Sequence, residues 1–410
     1  MAAKLLPYSL MTIATLSGFK YTTHYQHPKS SELPYILFTH GFPSSAYDWR
    51  HQVEYFSNEG YGIIAPDTLG YGSTDQPMDV HAYTLRSIAD SLIEVVDKVA
   101  GNETRVVGVA HDWSAIYSPL ILHAAFSLHD TAISEPYHTD LQNRGSGIQS
   151  RLANFHPDRF SAYVFLTPYT LPGFFNVTEV NIATKAALGY STLGYWEFFN
   201  KTEAGPIIGS HKTPFADLLY PDTMDEWKTN LGPVDSTEAF LTSGKDIPHA
   251  PYVTDEEQKI HNSIFARNGY TPALGYYRAS MAGYNTADGE SIDPKNLNTT
   301  TPTLFVGATK DPLLILDQGV KTMQAFNPKT VVTNVEAGHW SQLEAKDQVN
   351  KVILSFLQGL AIIHLLDICH VPHPTSLQGA NCILYHRFQK TSTDYISNIL
   401  LQIFYQNNSP

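Results

Sequence analysis

The sequence predicts an α/β fold in which a mostly parallel sheet is flanked by helices. Short apolar runs bounded by Gly and Pro recur along the chain, and such runs are typical of strands buried in a parallel sheet. Between them lie helix-like stretches with apolar residues at about every third or fourth position. The alternation stops after Leu166 and returns near Thr303, which indicates a separate unit inserted into the core.

Each predicted element rests on one of these segments. Strands are predicted at residues 34–39, 62–65, 104–109, 162–166, 303–306 and 330–335. A helix is predicted at 85–99, and another at 346–359, where Gly359 is expected to end it because Gly commonly follows a last helical turn.

The alternation also divides the chain. Residues 12–170 and 295–360 are predicted to form the two parts of the core, and 171–294 an inserted helical lid rich in Tyr, Trp and Phe. Residues 361–410 form a tail without an assignment. For 410 residues, one large domain carrying an insertion agrees with a size of roughly 150 residues per domain.

Composition excludes several classes of function. The chain has 26 basic and 39 acidic residues, a net charge of −13, and no cluster of Lys and Arg, so nucleic acid is not an expected partner. A small neutral ligand suits this charge better. The only two cysteines, Cys369 and Cys382, lie in the tail, so we predict neither a disulfide framework nor a metal site.

We also predict no membrane span, because the uncharged run 352–366 is interrupted by polar residues and is shorter than the roughly 20 residues required. No signal peptide is recognised at the N-terminus. Sequons of the form Asn-x-Ser/Thr could indicate secretion, but they arise often by chance, and a cytoplasmic protein is expected. The oligomeric state is left open.

The strongest chemical signal lies at residues 106–115. An apolar strand runs directly into a small-x-Asp-x-small motif, in which Ala110 and Ser114 flank Asp112 at the spacing of a nucleophile elbow. A carboxylate is already ionised and suits displacement at an sp3 carbon, so the expected intermediate is an alkyl ester on Asp112.

Hydrolysis of such an ester requires a general base and donors to an oxyanion. The motif His40-Gly41-Phe42-Pro43 directly follows a predicted strand, so the backbone N–H groups of Phe42 and Trp113 are predicted to form the oxyanion hole. His339 follows the last strand and is the predicted base. Asp311 is the preferred acid to orient it, with Asp317 as the weaker candidate.

Each of these features has a structural interpretation when taken alone. An Asp after a strand is often a helix cap, and a Gly-His pair is often a turn. Their occurrence together in the order nucleophile, acid, base favours a catalytic interpretation.

With these residues in place, the sequence resembles the α/β-hydrolase epoxide hydrolases, above all the fungal members. The similarity covers most of residues 12–360 and is concentrated at residues 40–52, 65–72, 111–113, 156–159 and 338–340. The resemblance implies an α/β-hydrolase fold and a cofactor-independent enzyme that opens a small-molecule epoxide with water to give a vicinal diol.

The resemblance also implies two lid tyrosines that hydrogen-bond to the epoxide oxygen and protonate it. The segments 193–199 and 274–278 resemble the tyrosine motifs of the family, which assigns these roles to Tyr195 and Tyr277, with Tyr276 as the alternative. It further places His40, Trp113 and Trp196 at the substrate.

Two other functions remain open. A haloalkane dehalogenase of the same fold also uses an Asp nucleophile, but such relatives usually have Asn where Phe42 stands, and fluoroacetate dehalogenases have Arg where Trp113 stands. The other alternative is a catalytically inactive binding protein. It arises because residues 117–149 separate the nucleophile from the expected helix at 148–154. A retained intron or a gene-model error is the preferred explanation of this segment, and a real surface insertion is the weaker alternative.

Overall fold

A computed structural model of the chain describes residues 7–112 and 146–370. Within them, eight strands form one sheet in the order β1-β2-β4-β3-β5-β6-β7-β8. The strands are β1 Ser9–Ala14, β2 Lys20–Gln26, β3 Tyr35–Thr39, β4 Gly62–Pro66, β5 Val106–Ala110, β6 Phe160–Phe165, β7 Thr303–Ala308 and β8 Val331–Val335. Neighbouring strands from β4 to β8 run parallel, and β1 and β2 are antiparallel. The predicted fold class is thus confirmed.

The six predicted strands correspond to β3–β8, and the hairpin of β1 and β2 was not predicted. Its strands contain polar residues, as in the run Thr22-Thr23-His24, so they do not resemble the apolar strands of a parallel sheet. Pairing of Thr12 with Thr22 closes the hairpin, and antiparallel pairing of Thr23 and His24 on β2 with Pro66 and Ala65 on β4 adds it to the sheet.

Fourteen α-helices are assigned in the described residues. Those of the first core segment are α1 Arg50–Asn58, α2 Leu85–Ala100 and α3 Gly147–Phe155. Those between β6 and β7 are α4 Val177–Leu188, α5 Gly194–Asn200, α6 Ala204–Ser210, α7 Lys212–Leu219, α8 Ser236–Thr242, α9 Asp255–Ile264, α10 Gly275–Met281 and α11 Thr286–Glu290. The last are α12 Leu316–Phe326, α13 Ser341–Glu344 and α14 Lys346–His370.

The two faces of the sheet are covered by different helices. On β3, Ile36 and Phe38 belong to a core shared with α1 and α14, whereas Leu37 belongs to the core on the other face, shared with α2 and α3. Alternate residues of a strand point to opposite faces, so a fully apolar strand supplies both cores. This arrangement leaves the carboxyl ends of β3–β8 free to carry functional groups beneath the helical insertion.

Helix α14 differs from the prediction. It continues through Gly359 to His370 instead of ending at the glycine. An interior Gly costs a helix only about 1 kcal/mol relative to Ala, and the following residues include the good helix formers Leu and Ala. The penalty at one residue is therefore too small to end the helix.

Among residues 7–112 and 146–370, no helix is both long and apolar enough to cross a bilayer.

Candidate active site

Asp112 lies two residues after the end of β5, at a sharp turn of the chain. Its φ of 69° is in the left-handed region, which non-glycine residues seldom adopt, and such backbone strain is concentrated at functional sites. A Cβ added at Gly41 would lie 2.4 Å from the Cβ of Asp112, so the loop after β3 can approach the carboxylate only because residue 41 is glycine.

That close approach brings the Phe42 N–H to the carboxylate. The Phe42 nitrogen donates to Asp112 Oδ2 at 2.9 Å, and both residues are buried. A preorganised backbone donor at this position is suited to bind a negative charge that develops on the oxygen. Trp113, the second predicted donor, lies outside the described residues.

His339 lies between two carboxylates. Its Nδ1 donates to Asp311 Oδ2 at 2.8 Å, and its Nε2 lies 3.4 Å from Asp112 Oδ1. The side chains of His339 and Asp311 are each only 2 % exposed. Asp317 is exposed in the first turn of α12, so the structure pairs the base with Asp311 and not with the weaker candidate.

Burial and charge oppose each other in this group of residues. Burial alone would lower the pKa of His339, but the carboxylates of Asp311 and Asp112 outweigh it and raise that pKa to about 10. Burial would likewise raise the pKa of Asp112, but the hydrogen bond and charge of His339 lower it. The resting site therefore holds an ionised Asp112 beside a protonated His339.

Two tyrosines of the helical insertion pack against each other, and one of them contacts Phe42. Tyr195 lies on α5 and Tyr277 on α10, and their ring centroids are 6.1 Å apart. Tyr277 also contacts Phe42, at 5.3 Å between centroids. Burial is the largest cause that raises the pKa of Tyr277 well above its usual value, followed by Tyr195 and the charge of Asp112, so the phenol stays protonated.

The neighbouring Tyr276 points elsewhere. Its ring contacts Tyr71 at 5.9 Å and Tyr83 at 5.2 Å, in the packing that connects α10 to the first core segment. The structure thus sets Tyr277, and not Tyr276, against Tyr195.

His40 is held by main-chain groups. Its Nδ1 donates to the Gly41 carbonyl at 2.9 Å, and its Nε2 accepts from the Thr68 N–H at 3.0 Å. Both ring nitrogens are used within the protein, which favours support of the oxyanion loop over the predicted contact with substrate. Trp196 packs on Tyr277 at 4.8 Å between centroids and is buried.

The chain returns to the nucleophile at Ser146. The Ser146 N–H donates to the Asp112 carbonyl oxygen at 2.9 Å, and helix α3 begins at the next residue. This helix includes the predicted one at 148–154 and takes in the last three residues of the segment 117–149. Residues 117–145 of that segment, together with Ser114, lie outside the described residues.

Three residues of the site were not predicted individually. His111 donates from Nε2 to the His339 carbonyl at 2.8 Å and accepts from Gln342 Nε2 at 3.1 Å through Nδ1. Burial lowers the pKa of His111 to about 4, so it is neutral in this bridge. Trp227 packs on His339 from the insertion, 5.0 Å between ring centroids. This contact between Trp227 and His339 joins segments that are far apart in the sequence, so no local sequence pattern indicates it.

A metal centre was not expected, and the described ranges contain no group of three His, Cys, Asp or Glu side chains arranged to hold a metal ion.

Known proteins resemble this chain over most of its length. Epoxide hydrolase A from Mycobacterium tuberculosis is 26 % identical over 333 residues, covering 80 % of this chain and 92 % of that protein. Epoxide hydrolase srdG from Neurospora crassa is 24 % identical over 366 residues, covering 84 % of this chain and 94 % of that protein. The predicted resemblance to epoxide hydrolases, including a fungal one, is confirmed by these matches.

Solved structures agree on the fold. Epoxide hydrolase A from Mycobacterium thermoresistibile superposes with a TM-score of 0.64 at 21 % identity, covering 86 % of this chain and 98 % of that one. An epoxide hydrolase from an endophytic Streptomyces gives 0.65 at 24 % identity, covering 86 % and 96 %. The model of the alpha/beta hydrolase family matches residues 36–352, from β3 into α14. On this match, the fold and the elbow at Asp112, the chain belongs to the alpha/beta hydrolase family.

Proposed function

We propose that this chain is an epoxide hydrolase that converts a small epoxide and water to a vicinal diol. One observation carries the proposal: the carboxylate of Asp112 is bound by the Phe42 N–H and faces His339, and the ring of Phe42 packs on Tyr277, which pairs with Tyr195. The names of the relatives support the same activity. The proposal includes the cytoplasmic location expected from the sequence.

In the first step Asp112 attacks a ring carbon of the epoxide. A new C–O bond forms to the carboxylate as the ring C–O bond breaks, and the ring oxygen takes a proton from Tyr195 or Tyr277. A neutral phenol suits this task because the leaving oxygen stays attached to the substrate and would otherwise become an alkoxide. The raised pKa of Tyr277 keeps its proton available until the ring opens.

In the second step water attacks the carbonyl carbon of the Asp112 ester. The charge on Asp112 contributes to the raised pKa of His339, so converting the carboxylate to a neutral ester lowers that pKa. The imidazole can then give up its own proton to the phenolate left by the first step and act as the general base. Asp311 stays ionised and holds Nδ1, which directs Nε2 toward the water.

The protons balance over the cycle. His339 accepts one proton from the attacking water, and the tetrahedral intermediate, whose oxyanion the Phe42 N–H binds, collapses to the Asp112 carboxylate and the diol. The donor tyrosine is reprotonated and the resting pair of Asp112 and His339 is restored. Only one epoxide and one water are consumed.

The activity is tested by incubating the purified full chain with styrene oxide and, separately, with a haloalkane. We expect diol from the epoxide and no halide release. The matched control is Asp112→Asn, which keeps the shape of the side chain and removes the nucleophile. Halide release without diol would move the proposal to a dehalogenase.

A second form of the chain tests the inactive alternative. Deleting residues 114–144 leaves Ser146 three residues after Asp112, which is the spacing at which a Ser146 N–H to Asp112 carbonyl bond closes a turn. Diol formation by the shortened form alone would show that the separating segment blocks an otherwise intact site. No diol from either folded form would favour the inactive protein.

A further inference from the structure

A helix of the insertion contacts the loop that carries the oxyanion donor. His261 on α9 places its Nε2 2.7 Å from the carbonyl oxygen of Pro43. Pro43 directly follows Phe42, whose N–H donates to Asp112. Since a carbonyl oxygen only accepts, the Nε2–H of His261 is the donor of this bond.

His261 is buried, and two aromatic side chains pack against its ring. The residue is 7 % exposed, and its ring packs against Tyr220 at 5.6 Å and Phe265 at 5.2 Å between centroids. A hydrogen bond enclosed in this way is stronger than one in water, and its loss leaves a buried carbonyl without its donor.

A second contact links the same two regions. The Tyr220 hydroxyl donates to Asp48 Oδ2 at 3.3 Å, and the Ser44 hydroxyl donates to the same carboxylate. Ser44 follows Pro43 in the oxyanion loop. Two side chains of the helical insertion, His261 and Tyr220, thus hold the loop beyond the point at which Phe42 meets the nucleophile.

We propose that His261 is a positioning residue which, by holding the Pro43 carbonyl, aims the Phe42 N–H at the carboxyl oxygen of Asp112. The inference rests on the proposed epoxide hydrolysis and adds a part of the chain outside the triad to it. Negative charge grows on that oxygen when water attacks the ester, whereas the carboxylate loses charge when the ester forms. Loss of the His261 bond therefore slows ester hydrolysis selectively.

Slower ester hydrolysis alone changes the kinetic constants in a way that a general disturbance of the active site does not. When only the second step slows, kcat and KM fall together, and kcat/KM, which reports ester formation, stays constant. For His261→Phe, which keeps a ring and removes the donor, we expect kcat to fall about tenfold. The ester on Asp112 should accumulate, as measured by intact mass after rapid quenching.

Two polar variants distinguish loss of the hydrogen-bond donor from loss of side-chain packing. His261→Gln can present an amide N–H near the position of Nε2 and should recover most of kcat, whereas His261→Asn is too short and should resemble His261→Phe. The matched control is Glu257→Gln on the same helix, which weakens the 2.6 Å ion pair with Arg50 and leaves His261 unchanged. Its kcat should equal that of the wild type.

The outcomes are distinct. In an active wild type, unchanged kcat in both His261→Phe and His261→Asn overturns the inference alone, as does an equal loss of kcat and kcat/KM without recovery in His261→Gln. A folded chain that forms no ester and no diol, either at full length or with residues 114–144 deleted, overturns the proposed function, and the inference with it.

Discussion

The core and the helical insertion place their functional groups by different means. Asp112, Asp311 and His339 each follow the carboxyl end of a parallel strand, so the order and pairing of β5, β7 and β8 bring them together. Tyr195 and Tyr277 lie on short helices that share no hydrogen-bonded sheet, and aromatic contacts hold them. The difference teaches that the sheet sets the positions of the proposed nucleophile and base, whereas the positions of the proposed proton donors depend on packing between helices.

The largest effect is expected at the core. Asp112→Ala should reduce turnover by at least about 10⁴-fold, because it removes the carboxylate on which the proposed ester forms. Diol production is measured by chromatography, and Asp317→Ala is the control, since that exposed carboxylate is not in the triad. Appreciable diol from Asp112→Ala would refute the assignment of the nucleophile.

His339→Gln should separate the two steps of the reaction. Without a general base the ester forms but is not hydrolysed, and turnover should fall by about 10³-fold. Mass spectrometry of the variant with substrate should show a covalent adduct, which the exposed control His81→Gln should not accumulate. An adduct-free, inactive His339→Gln would contradict this order of steps.

The insertion should show a smaller but position-specific effect. Tyr195→Phe and Tyr277→Phe should each slow ring opening by about 10²-fold, because each removes one donor to the epoxide oxygen. Tyr276→Phe is the adjacent control and should remain active. The opposite result, a harmful Tyr276→Phe and a harmless Tyr277→Phe, would transfer the role to the alternative residue.

The triad should also be visible in the pH dependence of stability. The pKa of His339 is raised in the folded protein to about 10, above its ordinary value of about 6.5, so its contribution to the free energy of unfolding is complete below pH 6.5 and is lost as the pH rises through 10. In urea unfolding, the difference between wild type and His339→Gln should shrink by at most about 1.4 kcal/mol per pH unit over this window. A difference that grows with pH would contradict the sign.

The smallest effect is expected at the start of α9, the helix that carries His261. Thr254 accepts from the Glu257 N–H at 3.2 Å and donates from its own N–H to the Glu257 carboxylate at 2.9 Å, a reciprocal capping box. Thr254→Ala should destabilise the protein by about 1 kcal/mol, seen as a lower melting temperature, and Thr254→Ser should restore most of it. Equal melting temperatures for all three forms would show that the cap contributes nothing to the folded state.

Much of the core was predictable because its signals are local. An apolar strand followed by a small-x-Asp-x-small turn needs only about ten consecutive residues to be recognised, and the order Asp112, Asp311, His339 follows from the order of the strands. The β1–β2 hairpin escaped prediction because an edge strand can be polar. The end of α14 was misplaced because one Gly is a weak signal against good helix formers.

The contacts across the insertion could not be predicted in this way. Trp227 on His339, His261 on Pro43 and Trp340 Nε1 on the Leu219 carbonyl at 2.7 Å each join segments far apart in the chain. Such pairs carry no spacing rule, since their partners meet only when the helices pack.

The sequence by itself determined the fold class, the candidate nucleophile and the order of the strand-end residues, because strand periodicity and turn chemistry act over a few neighbouring residues. Only the tertiary structure decided which of Asp311 and Asp317 meets His339, which of Tyr276 and Tyr277 faces Tyr195, and where the chain rejoins Asp112. The sequence ranks Asp311 above Asp317 and Tyr277 above Tyr276, but the contacts that separate each pair, and the return of the chain to Asp112, depend on packing between segments far apart in the chain.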